Sequence, residues 1–63
     1  MKINTSRVCF FTLCRGMNIS DLAKAINVSA KVMDRILESG ICSHITLCNM
    51  ARVLGVKPRE LIR

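Results

Sequence analysis

Apolar residues recur along this chain three and four positions apart, and nowhere do they alternate with period two over the length of a strand. The plainest stripe is Leu47, Met50, Ala51 and Leu54, spaced i, i+3, i+4, i+7 and closed by Gly55. Met33, Ile36 and Leu37 form a second stripe that Gly40 stops. Leu22, Ala23 and Ile26 form a shorter one behind Asn18, an N-cap residue with Asp21 placed to favour the helix dipole. Upstream, Val8 and Phe11 point inward from a helix that Asn4 caps and Gly16 ends, while Phe10 and Leu13 lie off that stripe. Pro58 suits the first position of a short last helix, where its missing N–H costs nothing, and Leu61 faces back to the core. The pattern predicts five helices, over about residues 5–15, 19–26, 29–39, 45–54 and 58–62. Together they make one all-α domain over 1–63, since 63 residues leave no room for a second core.

The connection between the second and third helices is the informative one. Asn27 is the non-glycine type most tolerant of positive φ, and Ser29 is a strong N-cap for the helix behind it. Two short helices joined by about three residues are what a helix-turn-helix requires, because the first must brace the second as it enters a DNA major groove. Ala23 is small where the helices approach, Ile26 and Val28 plug the turn, and Met33 and Ile36 hold the second helix from beneath. The opposite face then carries Ala30, Lys31, Asp34 and Arg35, leaving two long cations free to reach base edges or phosphates. Asn18 and Ser29 stand at helix N-termini, where free backbone N–H groups and a positive dipole end favour phosphate.

Over roughly residues 7–62 the chain resembles the Cro and phage-repressor-like (XRE-type) helix-turn-helix regulators. The stretch Arg15-Gly16-Met17-Asn18-Ile19-Ser20-Asp21-Leu22-Ala23 looks like the family's approach to its second helix. Asn27-Val28-Ser29 looks like its turn, usually Gly-Val-Ser, and Leu47, Ala51, Leu54-Gly55-Val56 and Glu60-Leu61 match its last two helices. The resemblance implies a compact five-helix, lambda-repressor-like DNA-binding domain. It implies base contacts from Ala30, Lys31, Val32 and Arg35, and backbone contacts from Asn18, Ser29 and the loop holding Ser43 and His44. The chain departs from the family at three places. Thr12 stands where many members carry an arginine that pairs with a glutamate after the reading helix, Asn27 replaces the turn glycine, and one extra residue falls around 37–40.

Charge agrees with a polyanionic partner: ten Lys and Arg against four Asp and Glu give +6. No apolar run approaches the roughly 20 residues that span a bilayer. The short run Val8-Cys9-Phe10-Phe11-Thr12-Leu13-Cys14 lacks a signal-peptide cleavage site, which points to a cytoplasmic protein without membrane contact. Cys9, Cys14, Cys42 and Cys48 lack the paired spacing of a metal site even with His44 included, so reduced thiols and no metal are expected. His44 is the only histidine, and no nucleophile motif or carboxylate pair is present. The expectation is therefore no enzyme, no catalytic residue, no cofactor and no small-molecule substrate.

These features predict a sequence-specific regulator that binds double-stranded DNA. By resemblance it is a repressor of phage or other mobile-element type. One short reading helix covers few base pairs, so a homodimer on DNA is expected, with half-sites roughly 34 Å apart. The alternative is a protein-interaction module, an antitoxin or adaptor on the same fold, docking through apolar residues such as Phe10 and Leu13. A basic amphipathic membrane binder fits poorly with the capped turn at Ser29.

Overall fold

A computed structural model describes residues 1–63 as four α-helices: α1 (Thr5–Cys14), α2 (Ile19–Ala25), α3 (Ala30–Ser39) and α4 (His44–Leu54). Each helix starts where a polar side chain takes up a backbone N–H that has no partner inside the helix. Asn4 Oδ1 accepts from Arg7 N–H at 3.1 Å, and Asn18 Oδ1 from Asp21 N–H at 2.8 Å. Ser29 Oγ accepts from Val32 N–H at 3.1 Å, and Ser43 Oγ from Thr46 N–H at 3.2 Å. The bounds fall within a residue of those predicted, with Ser29 the cap before α3 rather than its first helical residue.

The expected fifth helix is different. Residues 58–62 form one 3₁₀ turn, Pro58–Glu60, and then leave the helical path. Lys57 N–H is taken by the Glu60 carboxylate at 2.9 Å, which tightens the turn, and the next residues are drawn off to pair with the start of the chain. Asn4 N–H donates to the Leu61 carbonyl at 2.7 Å, and Arg63 N–H to that of Lys2 at 3.2 Å.

That start of the chain is the element the periodicity could not reveal. Residues 1–4 run extended between the loop after α3 and the C-terminal end, bridging Lys2 to Ile41 and Ile3 to Ile62 in antiparallel sense. On the loop side, Ile3 N–H donates to Gly40 O at 2.8 Å and Cys42 N–H to Met1 O at 3.0 Å. No strand forms, but the tie buries Ile3 to 1% exposure and joins two remote parts of the chain.

The core holds Val8, Leu22, Ala23, Ile26, Met33, Ile36, Leu47, Met50, Ala51, Leu54 and Leu61, as their spacing predicted, together with Ile3 and Cys42. Phe11 packs against it only partly buried. The buried residue of α1 one position on is Thr12, whose hydroxyl donates to the Val8 carbonyl of its own helix at 2.6 Å and so needs no other partner. Arg15, just past α1, reaches across to α4, where its Nε donates to Leu54 O at 3.1 Å. A cation there complements the negative end of α4. A Cβ at Gly55 would land on this guanidinium, and the backbone at φ 70° favours glycine as well.

Two consequences are measurable. Ile3→Val should lower stability by about 0.5–1.5 kcal/mol and Ile3→Ala by about 2–5 kcal/mol in urea denaturation, which for a domain this small approaches its whole stability; losses under about 0.3 kcal/mol for both would show that the N-terminal tie bears no load. Cys42 supplies a pH dependence. Burial pushes its thiol up from the ordinary value, with the Met1 ammonium opposing. The unfolded chain therefore loses this proton first, so the contribution is intact below the ordinary thiol range and is lost as pH rises through it towards the folded value. Urea midpoints should fall from pH 8 to 10, and Cys42→Ala should flatten that slope.

Candidate nucleic-acid interface

The turn between α2 and α3 is built from backbone bonds that end one helix and aim the next. Val28 N–H donates to the Ala23 carbonyl at 2.9 Å and Asn27 N–H to that of Lys24 at 3.1 Å, the paired bonds of a Schellman closure. This closure needs a left-handed residue, and Asn27 supplies it at φ 61°, where the ends of α1, α3 and α4 use glycine at φ 70°. Val28 packs against the core from the turn, and Ser29 then caps α3.

Met33 and Ile36 face inward on α3, with Leu37 partly buried beside them. At 100° per residue, the side directly opposite carries Lys31, Arg35 and Glu38, all exposed. Lys31 and Arg35 stand one turn apart, about 6 Å along the axis. Asp34 and Ala30 flank this stripe on one side and Val32, 42% exposed, on the other. The stripe thus carries two cations and two carboxylates, and Glu38 limits the positive end to the first half of the helix. Such a surface offers donors and acceptors for recognition but little net attraction. Attraction has to come from the charge of the whole molecule.

All eight residues singled out from the sequence, Asn18, Ser29, Ala30, Lys31, Val32, Arg35, Ser43 and His44, are exposed. Four of them share the exposed side of α3, and Asn18, Ser29 and Ser43 stand at the starts of three helices. Those starts are not equivalent. At α2 the Asp21 carboxylate accepts the Asn18 N–H at 3.2 Å, completing a capping box that puts a negative charge where a phosphate would approach. The first turns of α3 and α4 contain no acidic residue. Ser43 also donates its hydroxyl proton to Thr46 Oγ1 at 2.9 Å. His44, the first residue of α4, has sulfur on both sides of its ring: Nδ1 is 3.4 Å from Met1 Sδ and Nε2 is 3.7 Å from Cys48 Sγ. A phosphate contact from His44 would replace one of these.

Sequence reasoning left out three features of this region. Glu38 continues the exposed stripe by the same i, i+3 and i+7 spacing and was legible from it. The contact of His44 with Cys48 follows i, i+4 spacing, whereas Met1 arrives from the far end of the chain. Arg7 and Arg15, part of the cationic surplus, each spend guanidinium bonds on a carbonyl, of Glu60 at 3.3 Å and of Leu54 at 3.1 Å.

Cys9, Cys14, Cys42 and Cys48 are free thiols, and no three His, Cys, Asp or Glu side chains are placed to share a metal ion. No helix is long and apolar enough to cross a membrane. Compared with protein-family models, with curated proteins and with solved structures, the chain matches none.

Proposed function

We propose that the chain is a helix-turn-helix regulator of the XRE type that binds double-stranded DNA, with α3 in the major groove and the 3₁₀ turn at Pro58–Glu60 in place of a fifth helix. The observation that carries this reading is the turn itself: Asn27 in the left-handed region and Ser29 as cap orient α3 so that Met33 and Ile36 are buried while Lys31 and Arg35 are free. Lys31 and Arg35 suit guanine O6 and N7, and Asp34, an acceptor that repels phosphate, suits the amino group of cytosine. Ala30 and Val32 offer apolar contact for a thymine methyl. Backbone contacts fall to Asn18, Ser29 and Ser43, with His44 beside them, the acid-free start of α3 being the best placed. A homodimer on a palindrome supplies the specificity one short helix lacks, and occupancy of such an operator represses transcription by excluding polymerase.

The exposed Phe10 and Leu13 favour a second reading, a protein-interaction module on the same fold. Selection of bound sequences from a random duplex pool separates the two. An enriched palindrome is expected, and no enrichment at low salt would sink the DNA reading. On the selected site Lys31→Ala and Arg35→Ala should each lose about 1–3 kcal/mol of discrimination against base changes. Asn18→Asp keeps the cap but adds a charge, so it should weaken binding to every sequence alike. Equal losses on selected and random DNA for all three would overturn the assignment of α3 as reader. Affinity should also fall steeply with salt as phosphate contacts release counterions.

A further inference from the structure

We propose that His44 and Cys48 form a binding site for a divalent cation of the zinc class at the start of α4. The two residues stand one helical turn apart, and His44 Nε2 lies 3.7 Å from Cys48 Sγ. Bonds of about 2.0 Å to nitrogen and about 2.3 Å to sulfur, meeting at the tetrahedral angle, set those two atoms about 3.5 Å apart. The pair needs to close by only about 0.2 Å to hold such an ion. The other ring nitrogen fixes which atom is free to bind. Nδ1 lies 3.4 Å from Met1 Sδ, and a thioether can only accept a hydrogen bond, so Nδ1 carries the ring proton and the lone pair of Nε2 faces the thiol. Metal-binding histidines are oriented in the same way, by a hydrogen bond from the nitrogen turned away from the ion.

With Nε2 unprotonated, the Cys48 thiol proton sits where the cation would go. Binding exchanges one for the other: the S–H bond breaks, the proton leaves to solvent, and sulfur and Nε2 each donate an electron pair to the metal. The ligand types narrow the choice of ion. One thiolate and one imidazole suit zinc and its neighbours, whereas magnesium and calcium take oxygen ligands. A chain at +6 repels every cation, so one that bonds strongly to sulfur is the kind that stays. His44 is exposed and Cys48 half-buried, which leaves the two remaining tetrahedral positions open to water. No third His, Cys, Asp or Glu side chain completes the set, so the ion is held less tightly than in a four-ligand structural site and exchanges. The paired-cysteine spacing by which metal sites are read does not detect this pair, because a single helical turn supplies the juxtaposition.

The site does not depend on the DNA reading, and its test uses no DNA. Cobalt titrated into the reduced full chain should give a thiolate-to-metal charge-transfer absorption that saturates at one ion per chain below millimolar concentration, and zinc should displace it. Cys48→Ser should abolish that absorption and His44→Ala should weaken binding by roughly tenfold or more, with melting temperatures in the absence of metal near that of the parent. Cys14→Ser, at the exposed thiol of α1, should change neither. For the parent chain, zinc at a hundredfold excess over its dissociation constant should raise the melting temperature by on the order of 10 °C. His44 is the only histidine, so its ring nitrogens report alone in a nitrogen NMR spectrum: Nε2 should shift on addition of zinc while Nδ1 keeps its proton. No saturation below millimolar metal, an absorption that survives Cys48→Ser, affinity undiminished by His44→Ala, or zinc seated on Nδ1 would each overturn the proposal.

Discussion

Everything in this small molecule hangs on getting enough apolar surface out of water, and the extended segment at residues 1–4 is what completes that burial. Four short helices leave an open edge where the loop after α3 and the C-terminal end come near each other. Ile3 fills that edge, and the backbone on either side of it donates to Gly40 O and Leu61 O. Both carbonyls belong to residues that close a helical turn, Gly40 after α3 and Leu61 after the 3₁₀ turn, so no later N–H of the same turn takes them. With neither a disulfide nor a long helix in the chain, this pairing ties together elements that caps and local turns position only singly.

Local chemistry was legible and remote pairing was not. The starts of α1, α2, α3 and α4 follow from Asn4, Asn18, Ser29 and Ser43, because an N-cap bond spans only three residues. The core face of α4 follows from one unbroken stripe. Ile3 has no such neighbourhood: a single apolar residue among polar ones has no period, and its partners stand at positions 40 and 62. Cys42 and Thr12 were missed for a related reason. A thiol in a loop and a hydroxyl on a helix read as surface groups unless the fold brings a wall against them, or a carbonyl of their own helix accepts the proton. The misjudged helix at 58–62 has the same origin, since Pro58 and Leu61 are compatible with a helix until the strand-like pairing of residue 62 is known.

For the candidate interface, spacing was enough to place Lys31 and Arg35 on one exposed side and Met33 and Ile36 on the other. It was not enough to weigh them. The carboxylates of Asp34 and Glu38 neutralise that side as a whole, and Asp21 adds a negative charge at the start of α2. The positive charge is thus spread over the molecule, while the exposed stripe on α3 sets donors and acceptors side by side. On the proposed DNA reading, general attraction and base discrimination fall to different residues.

The N-terminal tie also sets an order of events. Helix caps close over three or four residues and cost little chain entropy, whereas joining Asn4 to Leu61 closes nearly the whole chain. Such a closure comes after the local ones, and because it carries the buried Ile3 it opens only at the cost of exposing core surface. Its bonds hold Gly40 and Cys42, the residues leading into Ser43 and His44, to residues 1–3, while the bonds of Val28 and Met33 that shape the α2–α3 turn span five residues or fewer. The turn that directs α3 is thus complete within its own neighbourhood, whereas the start of α4 gains its last support only when residues 1–4 reach the loop before it.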